Sequence, residues 1–266
     1  MSNTAPLSSN IVKPKYIVAV LLLLLVVGAT AMYIFVWRTP DTVYASALQN
    51  VANLKDHAAT IDAKLSALSN SSASDINITA TELIEAHNSF EDSFSEMANS
   101  KVISKDASYK NNEVSIQAYR ESVKGTVDTV NAYLVMSYEC NTLLGQVNDM
   151  ATVTDFESKS TKCYESIEGI DLGEDESFKN SYSMPYAVAL EKLIDAHRTL
   201  IIAKPTVAPG QPALYSAFNG IRTAEKNLAD TAAKTEIKID TVVTAPTNSF
   251  DEITAGLNSQ KAALIR

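Results

Sequence analysis

The sequence has few of the residue types from which catalytic and metal-binding sites are usually built. It contains three histidines, two cysteines and one tryptophan among its 266 residues. It has no glycine-rich phosphate-binding loop, no His-Glu-x-x-His zinc motif, and no Ser/His/Asp or paired-carboxylate signature. The cysteines and histidines are also too few and too dispersed for a zinc site. We therefore expect a protein that is not an enzyme and that binds neither a cofactor nor a metal ion.

Glycine and proline are scarce as well, and their scarcity favours long helices. There are eight residues of each, whereas alanine, serine, threonine and asparagine are plentiful. The hydrophobic fraction of 46% is too high for a disordered chain. The length fits one hydrophobic segment followed by one domain, or two small domains at most.

Acidic residues are absent from the first 40 positions, because Asp41 is the first. All 31 acidic residues therefore follow residue 37, whereas two of the 22 basic residues, Lys13 and Lys15, precede it. The chain after residue 37 thus carries 20 basic and 31 acidic residues, a net charge of −11. Such an acidic and weakly aromatic surface repels phosphate backbones, so nucleic acid is not expected as a partner.

Charged residues of either sign are absent from residues 17–37, which include the run VLLLLLVV. A helix of that length spans about 30 Å, which matches the hydrocarbon thickness of a bilayer. Lys13 and Lys15 flank one end, and Trp37 and Arg38 are suited to the membrane interface at the other. We therefore predict a transmembrane signal-anchor helix over 17–37, with the lipid bilayer as its partner. No cysteine lies near the end of the apolar run, which excludes lipoprotein anchoring.

The basic residues around the predicted span indicate its orientation. Two lysines and the α-amino group precede the span, and Arg38 and Lys55 follow it, a small excess on the N-terminal side. This excess predicts a short cytoplasmic tail, residues 1–16, and an extracytoplasmic domain, residues 39–266. The protein is then expected in the cell membrane as a single-pass protein with its C-terminal domain outside.

A second interpretation of the N-terminal segment stays open. The sequence Ala-Thr-Ala at 29–31 is typical of a signal-peptidase site, and residues 17–27 before it have the length of a signal-peptide core. Cleavage after Ala31 would release the domain from the membrane. The apolar run continues over residues 32–37, however, and this continuation favours a retained anchor.

Apolar residues recur at helical spacing along most of the chain after residue 38. Thr39 and Pro40 are suited to the N-cap and first position of a helix that ends before a polar linker at 69–77. Its apolar stripe consists of Val43, Ala47, Val51, Leu54, Ala58, Ile61, Leu65 and Leu68. Further helices are predicted over 79–100, from Asp106 or Ser108 to about 148, from Thr154 to about Gly169, over 185–203, from 213, and after Asn248 or Ser249.

Short loops between these helices predict antiparallel neighbours. The predicted fold class is therefore all-α, with an N-terminal transmembrane helix followed by an antiparallel multi-helix bundle whose stripes resemble those of a coiled coil. Two segments are less regular. Residues 171–183 are acidic and predicted to be irregular. Residues 236–244 alternate like a strand, but a lone strand would have no partner, so a helix is predicted there.

The two cysteines lie at equal distances from the turn predicted at 148–153. In an antiparallel helical hairpin, residues at equal distances from the turn lie side by side. Cys140 and Cys163 are therefore predicted to form a disulfide, which an extracytoplasmic location permits. Closing this loop would stabilise the fold by about 3 kcal/mol in the chain-entropy model. The alternative is two independent buried thiols.

The histidines are better explained as structural residues than as ligands. LIEAHNSF at 83–90 and LIDAHRTL at 193–200 share one pattern, which indicates either an old duplication or chance similarity between amphipathic helices. His87 has Glu91 four residues later, on the same helix face, and His197 has apolar neighbours on its helix. A bundle that responds to acidic pH is the alternative interpretation, because histidine titrates near pH 6.5.

These observations lead to two main hypotheses. The first is a single-pass, membrane-anchored, extracytoplasmic helical protein with a non-enzymatic binding or envelope-structural role and a protein partner of unknown identity. The second is an extracytoplasmic ligand-sensing or solute-binding bundle that acts through a partner. Its architecture alone resembles the helical input domains of bacterial receptors, although no second membrane span follows the bundle in this sequence. A metal-dependent enzyme using His87 and His197 is the least supported hypothesis.

Overall fold

The computed structural model describes residues 26–27, 39–72, 74–205, 208–240 and 244–264. The predicted all-helical bundle is confirmed, and no strand occurs among the described residues. The helices of at least 18 residues are α1 (Thr39–Ser69), α2 (Ile76–Asn99), α3 (Ala107–Gln146), α4 (Val153–Ile170), α5 (Met184–Ala203), α6 (Pro212–Lys234) and α7 (Thr247–Leu264).

The first four-helix layer, which we call the proximal tier, contains α1, α2, the first half of α3, and α7. Helix α7 is antiparallel to α1. Asp251 near the start of α7 binds Lys55 in the middle of α1, whereas Gln260 near the end of α7 accepts a hydrogen bond from Tyr44 near the start of α1. Gln260 in turn donates to the carboxylate of Asp106 at the start of α3, at 2.6 Å. The start of α1, the start of α3 and the end of α7 therefore lie together at one end of the proximal tier.

The second layer, the distal tier, contains the second half of α3 together with α4, α5 and α6. Helix α4 packs against α3, α5 packs against α4, and α6 packs chiefly along α5. Helix α3 has 40 residues and is therefore about 60 Å long. It runs through both tiers and supplies one wall of each.

An extended segment connects the distal tier back to the proximal tier. The helix predicted over 236–244 is wrong for residues 236–240 and for residue 244, which form no helix, while 241–243 lie outside the described residues. Ile237 is buried and Ile239 is partly buried against the core, whereas Lys238 between them is exposed. The alternation in the sequence thus reflects an extended chain that lies along the bundle without a partner strand among the described residues. The backbone of Lys238 exchanges hydrogen bonds with the Ser181 hydroxyl.

The predicted apolar stripes form the core of the bundle. On α1, Val43 is exposed, but the other seven members of the stripe are buried. On α3, the buried residues include Ile116, Tyr119, Val123, Val127 and Val130. The Tyr119 hydroxyl donates to the carbonyl of Ala58 and to the carboxylate of Asp62, and Asp62 also accepts from the backbone of Ala245. These bonds join α1, α3 and the segment before α7.

Helix starts agree with the predictions to within a few residues, and α5 starts within one residue of its predicted position. Asp106 caps α3 as predicted, by accepting a hydrogen bond from the backbone of Tyr109. Thr152, rather than Thr154, caps α4. The segment predicted to be irregular over 171–183 becomes helical at Glu176, passes through a π-helical turn (Lys179–Ser183), and continues into α5.

The predicted membrane span lies outside the described residues apart from 26–27. The same holds for Lys13, Lys15, Trp37 and Arg38, and for the side chain of Thr39 that was predicted to cap α1. Within the part of the chain that the structure describes, no helix has both the length and the apolar character needed to cross a bilayer.

Gly256 on α7 permits the close approach of α7 to the start of α3. A Cβ atom at this position would lie 2.7 Å from the Ser108 hydroxyl and 3.0 Å from the Asp106 carboxylate. Gly256→Ala should therefore lower the free energy of unfolding by about 1 kcal/mol or more, since the clash exceeds the gain in helix propensity. Chemical denaturation of the full chain measures the change.

Gly220 on α6 provides the matched control, because a Cβ atom there meets nothing within 4 Å. Gly220→Ala should raise the free energy of unfolding by up to about 1 kcal/mol. An equal stabilisation by both substitutions would contradict the close contact between α7 and α3.

Candidate functional site

The predicted disulfide is confirmed. Cys140 on α3 and Cys163 on α4 are bonded, with their Cα atoms 4.6 Å apart, and both residues are fully buried. The turn between the two helices lies at residues 147–152, as the positions of the cysteines required. The disulfide is part of the core of the distal tier and presents no reactive sulfur to solvent.

His87 lies in the interface between α2 and α3, in the proximal tier. It is 9% exposed, and its buried Nε2 atom has no hydrogen-bond partner among the described residues. The same nitrogen is 3.7 Å from the carboxylate of Glu91, which accepts three hydrogen bonds from the guanidinium of Arg120. Arg120 also lies over the ring of Phe94, with the guanidinium carbon 4.7 Å from the ring centroid.

Burial lowers the pKa of His87 below that of an exposed histidine. The carboxylates of Glu91 and Asp128 oppose this effect, and the cations Arg120 and Lys124 reinforce it. Burial is the largest contribution, so the neutral imidazole is the form that the fold favours. His87 is thus a buried histidine beside the ion pair between Glu91 and Arg120.

His197 is in the distal tier, on α5, so the structure does not bring it into one site with His87. It is partly buried, and desolvation lowers its pKa, whereas Glu225 on α6 raises it. In the part of the chain that the structure describes, no group of three histidine, cysteine or carboxylate side chains is arranged to hold a metal ion.

The two segments that share a sequence pattern have similar burial but different neighbours. Leu83 and Phe90 in the first segment are buried, as are Leu193 and Leu200 in the second. Helix α2 packs most extensively on the preceding helix α1, whereas α5 packs most extensively on the following helix α6. This difference gives no support to a duplication of three helices.

A buried carboxylate that the sequence analysis missed joins the tiers. Asp175 is 6% exposed, accepts a hydrogen bond from the Thr126 hydroxyl at 2.8 Å, and caps the next helical turn through the backbone of Phe178. Its own backbone N–H donates to the Thr129 hydroxyl. The preceding Gly173 packs so closely on Thr129 that a Cβ atom there would lie 2.8 Å from its methyl group. The sequence does contain a signal for this cap, because Asp175 and the following Glu176 both favour the start of a helix.

Next to this junction, four aromatic rings pack together on α3 and on the helical segment that leads into α5. Tyr133 makes edge-to-face contacts with Phe178, Tyr182 and Tyr186, and Tyr182 stacks on Tyr186. Burial raises the pKa of Tyr133 and of Tyr182. The Tyr182 hydroxyl is buried and has no hydrogen-bond partner among the described residues. The cluster is a packing element in the core of the distal tier.

Several grooves at the surface are open to solvent. One of about 480 Å³ lies between α5 and α6, lined by Val188, Lys192 and Lys234 among others. A second, of about 230 Å³, is lined by acidic side chains including Glu121, Glu174 and Asp240. Neither encloses a small molecule in the way that a ligand pocket does.

Comparison with known proteins gives no match: no family model matches the chain, and the comparisons with curated proteins and with solved structures found no match either.

Removal of the disulfide should destabilise the distal tier. The double variant Cys140→Ser, Cys163→Ser loses the cross-link and should lower the free energy of unfolding by about 3 kcal/mol. The midpoint of urea unfolding, compared with that of the oxidised wild-type chain, measures the loss. Wild-type protein treated with a reductant should show a midpoint shifted in the same direction. An unchanged midpoint in both would contradict the bond.

Protonation of His87 should destabilise the fold in mild acid. Because the folded-state pKa is lowered, the unfolded state binds more protons as the pH falls below about 6.5. The stability that the fold gains by keeping His87 neutral is fully present above that pH. It is lost as the pH falls through the folded-state pKa. His87→Gln should therefore lose less stability than the wild type between pH 7 and pH 5, in urea unfolding. His57→Gln on α1, where the side chain is only partly buried, is the control. An identical pH dependence in wild type and His87→Gln would contradict this account.

Proposed function

We propose that this protein is a single-pass, membrane-anchored, extracytoplasmic helical protein with a non-enzymatic role, which presents its distal tier to a protein partner. Residues 17–37 form the anchor in this proposal, and residues 1–16 form a cytoplasmic tail. One observation carries it: α1 begins at Thr39, directly after the uncharged run, at the end of the bundle that is opposite to the distal tier. A chain anchored at that point projects the distal tier away from the membrane by about the length of α3, roughly 60 Å.

The disulfide supports the extracytoplasmic location. Bonds such as Cys140–Cys163 persist in oxidising compartments and are rare in the reducing cytosol. The negative net charge after residue 37 is compatible with this placement, because acidic residues contribute little to membrane topology.

The surface of the distal tier supports a protein partner rather than a small solute. Tyr138 is 70% exposed and Tyr215 is 63% exposed, and Val135 and Phe218 are also exposed. Val135 and Tyr138 lie one turn apart on α3, and Tyr215 and Phe218 lie one turn apart on α6. Exposed apolar side chains that lie together in this way favour contact with another protein. The ligand-sensing alternative requires an enclosed pocket with convergent polar groups, whereas the grooves described above are open.

Membrane fractionation combined with intact-mass analysis tests the anchor. We expect the full-length chain to remain in the membrane pellet after carbonate extraction, because a spanning helix is not released by high pH. Its mass should include residues 1–31. A soluble chain that begins at Met32 would contradict the anchor and support cleavage after Ala31.

Thiol labelling in intact cells tests the location separately. Alkylation without a reductant should leave Cys140 and Cys163 unmodified, whereas alkylation after reduction and unfolding should modify both. Replacement of Leu24 by arginine in the middle of the predicted span is the matched control, since a central charge opposes insertion. That variant should retain free thiols and appear in the soluble fraction. Free thiols in the wild-type chain would contradict the extracytoplasmic location.

A further inference from the structure

Helix α6 carries two stripes at helical spacing, and among the described residues only the first is buried against the rest of the bundle. The first stripe packs on α5 and is made of Leu214, Ala217, Ile221, Ala224 and Leu228. The second stripe is displaced by one residue and lies on the flank of α6. It consists of Tyr215, Phe218, Arg222, Glu225, Ala229 and Ala232, of which the first five are exposed and the last is partly exposed.

The second stripe has the spacing of a helix–helix interface. Its members are separated by three, four, three, four and three residues, which is the repeat that packs two helices side by side. Two bulky aromatic residues lie at its N-terminal end and two alanines at its C-terminal end. A charged pair of opposite sign, Arg222 and Glu225, lies in the middle.

This order is complementary to itself when the helix is reversed. In an antiparallel pair centred between Arg222 and Glu225, each Arg222 faces Glu225 of the second copy. Phe218 then faces Ala229, and Tyr215 faces Ala232, so a large side chain packs against a small one at each level outside the central charged pairs. Such a contact is isologous, because the same surface on both copies forms it around a two-fold axis.

A parallel pairing of the same helices would be unfavourable. It would place Arg222 against Arg222 and Glu225 against Glu225, so both central contacts would join like charges. It would also place the aromatic residues against each other at one end and leave only alanines at the other. The sequence of the stripe therefore selects the antiparallel register.

We propose that a second copy of this chain binds along α6, in an antiparallel homodimer with its two-fold axis between Arg222 and Glu225. A single helix pair buries less area than the roughly 1,200–2,000 Å² of a stable interface, so the dimer is weak and reversible in solution. Tethering of both copies to membranes raises their effective concentration and strengthens the contact.

The antiparallel register also determines how anchored copies are arranged, a step that rests on the proposed membrane anchor. The chain after α6 returns toward the proximal tier, as the contacts of Lys238 with Ser181 and of Ala245 with Asp62 require. Helix α6 thus runs from the distal end toward the anchored end. Two copies joined through antiparallel α6 helices have their anchors at opposite ends, so the dimer links two facing membranes.

Charge reversal in the full chain, purified in detergent, tests the dimer. Sedimentation velocity should show a reversible dimer for the wild type, and Arg222→Glu should weaken it at least about tenfold, since both central contacts become repulsive. The double variant Arg222→Glu, Glu225→Arg should restore dimerisation to near the wild-type level. Arg198→Glu, which breaks an exposed ion pair with Glu157 elsewhere in the distal tier, is the matched control and should dimerise normally. A monomeric wild type, or an Arg222→Glu chain that dimerises like the wild type, would overturn the proposal.

Cysteine cross-linking tests the register. Tyr215→Cys and Ala232→Cys chains should form a covalent dimer when mixed under oxidising conditions, because these positions face each other across the interface. Neither variant should cross-link efficiently alone. A covalent dimer formed by Tyr215→Cys alone would establish a parallel contact and overturn the proposal.

Vesicle clustering tests the arrangement of the anchors independently. Wild-type chain reconstituted in lipid vesicles should cluster them, and Arg222→Glu should not. A chain that dimerises in detergent but leaves vesicles dispersed would contradict the link between membranes while leaving the dimer intact. A chain that fails to associate with vesicles would contradict the anchor, and the detergent measurement would still decide the dimer.

Discussion

The structure depends on the continuous burial of one face of α3 over about 60 Å. Residues from Tyr109 to Leu143 along that helix are buried at helical spacing, first against α1, α2 and α7 and then against α4 and α5. Every other described helix contacts either α3 or a helix that packs on it. Three polar arrangements hold the layers in register along this face: the Asp106 carboxylate with Gln260, the Tyr119 hydroxyl with Asp62, and the Asp175 carboxylate with Thr126. Hydrophobic burial thus supplies the attraction between the helices, and a few buried polar groups fix their relative positions.

Much of this arrangement can be predicted from the sequence, since it follows from local patterns. The stripe from Ala47 to Leu68 predicts its own burial, and the cap at Asp106 is a short-range signal. The disulfide follows from the equal distances of Cys140 and Cys163 from one turn. In each case the decisive interaction lies within a helix or between helices joined by a short loop.

The remaining features depend on contacts between residues far apart in the chain. The segment after Lys234 has both a strand-like and a helix-like pattern, and its extended form follows from where Ile237 meets the core. Asp175 becomes a buried cap only because Thr126 and Thr129 on a different helix face it. The division into two tiers could not be predicted from the sequence either, because it depends on which of several similar stripes pack together. The same limit applies to the candidate site: an exposed Tyr215 is recognisable as part of a second stripe only once the first stripe is known to face α5.

The position of α7 has a consequence for the order in which the chain can fold during synthesis. Phe250, Ile253 and Leu257 on α7 are fully buried in the proximal tier, yet they follow the whole distal tier in the sequence. The hydrogen bond between Tyr44 and Gln260 joins residues separated by 216 positions. Helices α1, α2 and α3 therefore emerge from the ribosome with an apolar seam exposed, and this seam is covered only after more than a hundred further residues have been added. The distal tier is assembled from consecutive helices and has no such delay. It can therefore reach its native packing before the proximal tier, although synthesis of the proximal tier begins first.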